Sequence, residues 1–338
     1  HLPGNFPAPI LLATHVPSDY PSILPQILSR SGPLPAFYPG DNEVLKPGNI
    51  YVARPDFHLL LDDGRAVLSR GPKENWHRPA IDPLFRSAAR FYGPRVIGIV
   101  LSGQLDDGSA GLMAIKMRGG SSVVQDPQDA LSPQMPQNAI RYAAPDYVVP
   151  VAEMPALLDK LLKEQVNFTA QPAEAEMQDE IDDEAGEAHL EEQGPKKKYG
   201  KPSTFACPEC HGVLWELEEG GLLRFRCRVG HAFTADSLRL VMSDATEDAL
   251  WAAMRALEEK AGLLRRLSPR SATPARGAFV EEAETLVRHA QQIRKMLVEN
   301  QHFAQINSSD VSTTGTKGTQ EETNRERDAQ AEDNKDVA

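Results

Sequence analysis

The fold is decided by the stretch VIGIVLSGQLDDG, residues 96–108. Its first six residues, Val96–Leu101, form a continuous apolar run, which is typical of a strand buried on both faces of a sheet. The loop that follows contains glycines for a tight turn and ends with Asp106 and Asp107, just before a helix that the pattern predicts over 109–118. A buried strand followed by a helix predicts one unit of a parallel α/β sheet.

Strand-like and helix-like segments alternate on both sides of this stretch. Apolar runs predict strands over residues 10–14, 121–125 and 146–150, and periodic apolar positions predict helices over residues 82–92, 137–143 and 154–164. This alternation predicts an α/β fold with a mostly parallel, doubly wound sheet covered by helices on both faces. Residues 49–53 and 57–61, joined by Arg54-Pro55-Asp56, predict a β-hairpin inserted in that pattern.

The charge of the chain is concentrated in two segments. The 338 residues contain 36 Lys and Arg against 48 Asp and Glu, a formal net charge of −12, and residues 171–192 hold 10 acidic and no basic side chains. We therefore expect a disordered acidic linker over 166–202 and a disordered tail over 306–338. We interpret the linker as a solvated spacer, with a specific docking site as the alternative.

Composition also excludes several classes of protein. A strongly negative chain is not expected to be a general nucleic-acid binder, because such binders need a basic surface. No apolar run approaches the ~20 residues that a membrane span needs. Three cysteines and the absence of a visible signal peptide favour a cytoplasmic protein.

A histidine and an aspartate follow two of the predicted strands. His15 comes directly after the strand over 10–14, and Asp107 follows the strand over 96–101. In parallel α/β folds, residues that follow the strands gather at one edge of the sheet. Such a pair fits a general base with an orienting carboxylate. The alternatives are a structural histidine and an aspartate that caps the helix beginning near Ser109.

Seven motifs then occur in order along residues 2–165. They are LPGNFPAPI (2–10), ATHVP (13–17), LKPGNIYVA (45–53), HRPAIDPLF (77–85), LSGQLDDG (101–108), QDP (125–127) and MPQNAI (135–140). Together they resemble the catalytic domain of the chemotaxis protein-glutamate methylesterases, the CheB type. The resemblance implies a carboxylic ester hydrolase that cleaves glutamate methyl esters on chemoreceptors, often with deamidation of receptor glutamines. Methylated chemoreceptors are the implied partners.

The resemblance also implies a Ser-His-Asp triad, in which His15 and Asp107 match the family's histidine and aspartate. The family's serine lies in a glycine-rich turn, about one strand-plus-helix unit upstream of the position of Leu2. No G-x-S-x-G pattern occurs in this chain, which begins with His1. We therefore expect residues 1–165 to lack the first strand and helix of the domain, and this chain to be inactive although its parent is an esterase. Ser102 is not expected to replace the nucleophile.

The alternative to a truncated esterase is a signalling adaptor. In that hypothesis a serine-less domain has no catalytic role, and partners bind through the C-terminal module. Regulation by an upstream receiver domain cannot be read from these residues.

All three cysteines fall in one short segment. Cys207 and Cys210 are followed, after 16 residues, by Cys227 and then His231, a C-x2-C…C-x3-H pattern. Thiolates and imidazole at this spacing predict one structural zinc ion, held by a small zinc ribbon over 203–235 with a hairpin of strands 213–217 and 222–226. Three incidental cysteines are the alternative. Nucleic-acid binding by Arg224, Arg226 and Arg228 is a weaker hypothesis than a solvated strand face.

Two helix patterns follow the predicted ribbon. Apolar residues at three- and four-residue steps predict helices over 236–267 and 278–303, separated by a break at 268–277 that contains two prolines. We interpret residues 236–305 as an intramolecular helical hairpin with a coiled-coil seam. The alternatives are a homodimer and a docking site for a methyltransferase or another signalling partner.

Overall fold

A computed structural model of the chain describes residues 2–16, 22–164, 200–219, 221–270 and 273–310. The chain divides into two compact units, residues 1–242 and residues 243–338. The predicted acidic linker lies outside the described residues as far as position 199, and so does the predicted tail beyond position 310.

The α/β part of the larger unit contains nine strands and five helices among its described residues. Its strands are β1 (Ile10–Leu12), β2 (Ala36–Phe37), β3 (Glu43–Val44), β4 (Ile50–Val52), β5 (His58–Asp62), β6 (Arg65–Ser69), β7 (Ile97–Val100), β8 (Ser121–Gln125) and β9 (Tyr147–Val149). Its helices are α1 (Leu24–Ser31), α2 (Ile81–Tyr92), α3 (Ser109–Met117), α4 (Gln134–Ala143) and α5 (Met154–Leu161). Two three-stranded sheets, β1-β4-β2 and β7-β8-β9, are parallel throughout.

The sheet β7-β8-β9 is covered on both faces, as the continuous apolar run of β7 predicts. Val100 packs with residues of α3 and α4, including Leu112 and Ala139. The neighbouring Ile99 points to the other face, where it packs with Met154 of α5. Because successive strand residues point to opposite faces, a strand with helices on both sides needs apolar residues at every position.

The inserted hairpin exists, but the predicted pairing of its strands is wrong. Residues 50–52 form β4, which pairs in parallel with β1 and β2, and β5 pairs antiparallel with β6 instead. The turn is Asp63-Gly64, and both residues have positive φ angles, 37° and 80°. A two-residue turn of this kind matches the twist of a hairpin, whereas the proline of Arg54-Pro55-Asp56 does not provide it.

A four-stranded antiparallel sheet completes the larger unit. Its strands are β10 (Lys201–Ala206), β11 (Val213–Glu219), β12 (Leu222–Cys227) and β13 (Ala232–Thr234), in the order β10-β11-β12-β13. We call residues 201–234 the four-stranded module. Because β10 begins at Lys201, the last two residues of the predicted 166–202 linker belong to a strand.

Two long helices end the described chain, α6 (Ala235–Leu267) and α7 (Thr273–Asp310). In the smaller unit they pack against each other through Ala261, Leu264 and Ala283. The second helix begins five residues before the predicted start at 278, because Pro274 lies in its first turn, where a proline is tolerated. It ends at Asp310, beyond the predicted boundary at 305. No helix in the described ranges combines the length and apolar character that a bilayer crossing requires.

A glycine allows α3 to lie directly against α2. A Cβ atom built at Gly111 would lie 2.5 Å from Cβ of Phe85 and 3.1 Å from the Cα of Asp82. The Gly111 N–H also donates to the Asp82 carboxylate at 2.7 Å. This close approach matters for function, because it brings the loop before α3 to the N-terminus of α2.

We predict that Gly111→Ala destabilises the protein by about 1–3 kcal/mol, because the added methyl group overlaps atoms that are fixed by the core. Gly262→Ala, in the interior of α6 with no atom near the new methyl group, is the matched control. It should raise stability by up to about 1 kcal/mol through helix propensity. Urea unfolding followed by circular dichroism measures both, and a Gly111→Ala variant as stable as the wild type would contradict this packing.

Candidate functional site

The structure brings His15 and Asp107 together. His15 follows β1 and Asp107 follows β7, and Nε2 of His15 lies 2.7 Å from Oδ2 of Asp107. The Asp107 side chain is 1% exposed, and the His15 side chain is 24% exposed. The carboxylate is therefore enclosed by protein, while the imidazole retains access to solvent.

Asp107 is held by backbone N–H groups as well as by His15. Its carboxylate accepts hydrogen bonds from Ile81 N at 2.7 Å and Asp82 N at 3.1 Å, the first residues of α2, and from Gly108 N at 2.9 Å. Burial alone would raise the pKa of Asp107. The hydrogen bond and charge of His15, with the two helical N–H groups, outweigh burial and lower that pKa to about 2.

Asp107 caps a different helix from the one that its place in the sequence suggests. The carboxylate caps α2 from another part of the chain, not α3, which starts two residues after it. An anion at a helix N-terminus interacts favourably with the unpaired N–H groups and the helix dipole. The same contact therefore stabilises both the start of α2 and the ionised form of Asp107.

The orientation of His15 defines which ring nitrogen can accept a proton. Nε2–H donates to the ionised Asp107, which leaves the lone pair on Nδ1. The ring of His77 stacks on that of His15, with centroids 3.7 Å apart and planes at 14°. His77 Nδ1–H donates to the backbone oxygen of Asn75 at 2.6 Å. Burial and the charge of His15 lower the pKa of His77, which favours the neutral form of this neighbour.

A second buried carboxyl group, Asp82, lies beside Asp107. It accepts hydrogen bonds from Gly111 N at 2.7 Å and from Nδ2 of Asn75 at 3.2 Å. Burial and the negative charge of Asp107 raise the pKa of Asp82 well above its usual range. The pKa values of these two neighbouring carboxyl groups are therefore shifted in opposite directions, that of Asp107 downward and that of Asp82 upward.

Asp106 faces a different partner from Asp107. Its Oδ1 accepts a hydrogen bond at 2.7 Å from the hydroxyl of Thr234, the last residue of β13. Burial raises the pKa of Asp106 to about 6, against the lowering effect of the Thr234 hydrogen bond. Asp107 thus contacts His15 and the start of α2, whereas Asp106 contacts the end of β13.

The hydroxyl of Ser102 is engaged with another loop residue, Ser132. Its hydroxyl accepts a hydrogen bond from Ser132 N at 2.8 Å and lies 3.4 Å from Ser132 O. Within the described residues, no serine hydroxyl is hydrogen-bonded to His15.

The three cysteines and His231 also come together, in the four-stranded module. Their sulfur and nitrogen atoms all lie within 4.8 Å of one another. Sγ of Cys210 and Nδ1 of His231 each lie 3.5 Å from Sγ of Cys227. Four donor atoms at these distances could hold one metal ion.

Sequence reasoning did not single out Asn75 or His77 individually. His77 begins one of the quoted motifs, so its place in that motif was the available signal. Asn75 has no local signature, because its partners come from residues 32 and 159 positions away in the chain.

Comparison with known proteins places the first half of the chain in a family. Residues 1–158 match the CheB methylesterase model. A putative protein-glutamate methylesterase/protein-glutamine glutaminase from Leptospira interrogans is 35% identical over 161 residues, which are 47% of this chain and 83% of the relative. The protein-glutamate methylesterase/protein-glutamine glutaminase of Thermotoga maritima is 34% identical over 166 residues, 48% of each chain.

A solved structure was also matched, the CheB methylesterase catalytic domain of Thermotoga maritima. It is 34% identical, with a TM-score of 0.45, and the match covers 47% of this chain and 87% of that one. The chain spans about half the length of the Thermotoga relative and of a relative from Anaeromyxobacter dehalogenans.

The fold is that of an α/β protein, and the relatives that the chain matches are named as protein-glutamate methylesterases. The chain belongs to the CheB methylesterase family.

We predict that the stability of the protein falls as the pH rises from about 4 to about 6, because of Asp106. Folding raises its pKa from 3.8 to about 6, so the folded state holds this proton more tightly than the unfolded chain does. The stabilisation is complete below about pH 4 and is lost as the pH rises through 6, a change of about 3 kcal/mol.

Asp106→Asn should remove this part of the pH dependence, since the amide stays neutral and can still accept the Thr234 hydrogen bond. Asp62→Asn, at an exposed position of β5, is the control that should leave the dependence unchanged. Urea unfolding at a series of pH values measures the effect. Identical slopes for the wild type and Asp106→Asn would refute it.

Proposed function

We propose that residues 1–164 supply the acid–base half of a protein-glutamate methylesterase that acts on chemoreceptors. The single observation that carries the proposal is the 2.7 Å contact between His15, which follows β1, and the buried Asp107, which follows β7 and has a lowered pKa. The names of the relatives support the reaction, since they are protein-glutamate methylesterases and protein-glutamine glutaminases. Methylated glutamates of receptors are the substrates that this activity requires.

In the proposed reaction, Nδ1 of His15 accepts the proton of a serine hydroxyl while the serine oxygen attacks the ester carbonyl carbon. His15 then gives that proton to the departing methoxy group, which leaves as methanol. Water hydrolyses the acyl-serine with His15 as base again and regenerates the serine and a glutamate carboxylate. Asp107 stays ionised, holds the imidazole in one tautomer and stabilises the imidazolium ion.

We infer that the nucleophile of this reaction is the family's serine, which is not among the serines of the described residues. The support is that none of the described serines is hydrogen-bonded to His15, together with the resemblance, which puts the family's serine upstream of Leu2. The adaptor hypothesis provides no role for a buried carboxylate that orients a solvent-accessible imidazole. We therefore favour the esterase.

We predict that a protein with the upstream residues of its gene releases methanol from methylated receptor, and that Asp107→Asn slows this release about 10³- to 10⁴-fold. The amide cannot hold the required tautomer or stabilise the imidazolium ion. His15→Gln should cause a loss at least as large. The 338-residue chain alone should show no more than about one-thousandth of the full rate, because it lacks the nucleophile.

Exposed residues of the same types provide the controls, Asp62→Asn in β5 and His289→Gln in α7, and both should keep full activity. Gas chromatography of the released methanol is the measurement. Full turnover by Asp107→Asn would contradict the proposed role of this residue, and no turnover by the complete protein would favour the adaptor.

We also propose that Cys207, Cys210, Cys227 and His231 bind one structural zinc ion. The support is the C-x2-C…C-x3-H spacing and the mutual distances of the four donor atoms. Four protein ligands leave no open position, so the ion would hold two turns of the four-stranded module together rather than take part in chemistry.

We predict about one zinc ion per chain in the purified protein, because this donor set favours zinc. Cys207→Ser and Cys227→Ser should each lose the ion and the folding energy that its binding provides. His211→Asn is the matched control, since His211 is exposed and lies next to Cys210 in sequence. Mass spectrometry for metals gives the stoichiometry, and a metal-free protein that folds normally would refute the site.

A further inference from the structure

Asn75 lies between the candidate active site and the four-stranded module. Its Nδ2 lies 3.3 Å from Oδ1 of Asp107 and 3.2 Å from Oδ2 of Asp82. Its Oδ1 lies 3.0 Å from both the backbone nitrogen of Thr234 and the hydroxyl oxygen of Ser237. Asn75 is 4% exposed, so protein rather than water surrounds both ends of its amide group.

The chemistry of these partners fixes the orientation of the amide. The ionised carboxylate of Asp107 can only accept hydrogen bonds. The side of the Asn75 amide that faces it must therefore be the NH₂ group. The other side faces the backbone N–H of Thr234, which can only donate, and the Ser237 hydroxyl, which can donate. That side of the amide must therefore be the oxygen. Rotating the amide by half a turn would place its oxygen against the charge of Asp107 and its NH₂ group against two donors. The module therefore determines which end of Asn75 the carboxylate meets.

Helix capping explains part of this arrangement but not all of it. Thr234 and Ser237 form a reciprocal cap at the start of α6, in which Thr234 N donates to Ser237 Oγ at 2.9 Å and Ser237 N donates to Thr234 Oγ1 at 3.2 Å. Each hydroxyl still has one proton to donate. Thr234 donates to Asp106 at 2.7 Å, and the Ser237 hydroxyl lies 2.8 Å from Thr234 Oγ1 and 3.0 Å from Oδ1 of Asn75. Because Thr234 Oγ1 already accepts from Ser237 N, Oδ1 of Asn75 is the acceptor left for the Ser237 proton.

The backbone around Asn75 is held by the same module. Asn75 N donates to Ala232 O of β13 at 2.8 Å. Glu74 is ion-paired with Arg86 of α2 at 2.5 Å and with Arg224 of β12 at 3.9 Å. This support matters because Asn75 has a positive φ angle of 48°, which non-glycine residues adopt at an energetic cost. Two residues further on, the same segment presents the His77 ring that stacks on His15.

We propose that Asn75, Thr234 and Ser237 are positioning residues for the His15–Asp107 pair, so that the four-stranded module and the start of α6 form an integral part of the active site. The backbone N–H of Thr234, which lies in the reciprocal cap with Ser237, and the Ser237 hydroxyl set the amide of Asn75. Asn75 gives Asp107 a further donor that holds its Oδ1 while Oδ2 holds His15. The proposal builds on the esterase function, but its geometric part concerns only the His15–Asp107 hydrogen bond.

The test combines a spectroscopic and a kinetic measurement. Proton NMR of the 338-residue chain follows the Nε2–H proton that His15 donates to Asp107, a readout that does not depend on turnover. Thr234→Val with Ser237→Ala removes the two hydroxyls of the cap that holds the Thr234 N–H against Asn75, including the Ser237 hydroxyl that donates to Asn75, and Asn75→Ala removes the amide. Thr234→Ser keeps the hydroxyl, and Thr204→Val makes the same change at an exposed position of β10 in the same module.

We expect the Nε2–H resonance to shift and to exchange faster with water in the double variant and in Asn75→Ala. Thr234→Ser and Thr204→Val should match the wild type. In the protein that carries the upstream residues, the double variant should lower kcat by about 10- to 100-fold, the size expected for a misplaced catalytic group, with KM within about twofold. Ser237→Ala alone, which keeps the Thr234 cap, should show the same changes to a smaller degree.

Three outcomes are decisive. An unchanged resonance in both the double variant and Asn75→Ala overturns the proposal. A resonance that Thr234→Ser shifts as far as the double variant does also overturns it, because the effect would then come from packing rather than from loss of the hydroxyls. Changed resonances together with no esterase activity in the complete wild-type protein support the positioning role and reject the proposed function.

Discussion

The structure depends on one buried negative charge, the carboxylate of Asp107. An ionised group with 1% exposure is costly unless donors surround it, and here they come from His15, from the N-terminus of α2 and from Asn75. The cost of burial is therefore compensated by contacts that also define the candidate site. The raised pKa of Asp82 fits the same logic, since burial and the charge of Asp107 both oppose its ionisation.

Several features of the fold bring hydrogen-bond donors to the carboxylate of Asp107. Gly111 lets α3 approach α2, so the loop before α3 reaches the first N–H groups of the neighbouring helix. β12 and β13 hold the segment that carries Asn75 and His77. A module that resembles an appendage in the sequence belongs to the same compact unit as the α/β layers. The site thus joins residues from the whole of the larger unit.

The parts of this site that sequence reasoning predicted have local or family signals. The apolar run over 96–101 predicts a buried strand, and the quoted motifs single out His15 and Asp107. The predicted hairpin joins the wrong strands, because Asp63-Gly64 is a stronger turn signal than the segment that contains Pro55. The contacts of Asn75 with Thr234 and Ser237 leave no local pattern, because hydrogen bonds across about 160 residues depend on how the module docks.

The most direct test of this account is the protonation state of the two buried carboxyl groups. Carbon-13 NMR of labelled aspartate side chains, assigned with Asp107→Asn and Asp82→Asn, measures both titrations. The account predicts that Asp107 stays ionised as the pH falls from 7 to 4, with a pKa of about 2, while Asp82 binds its proton at a distinctly higher pH. Titration of Asp107 at or above its ordinary value, or before Asp82 on the way down from pH 7, would contradict it.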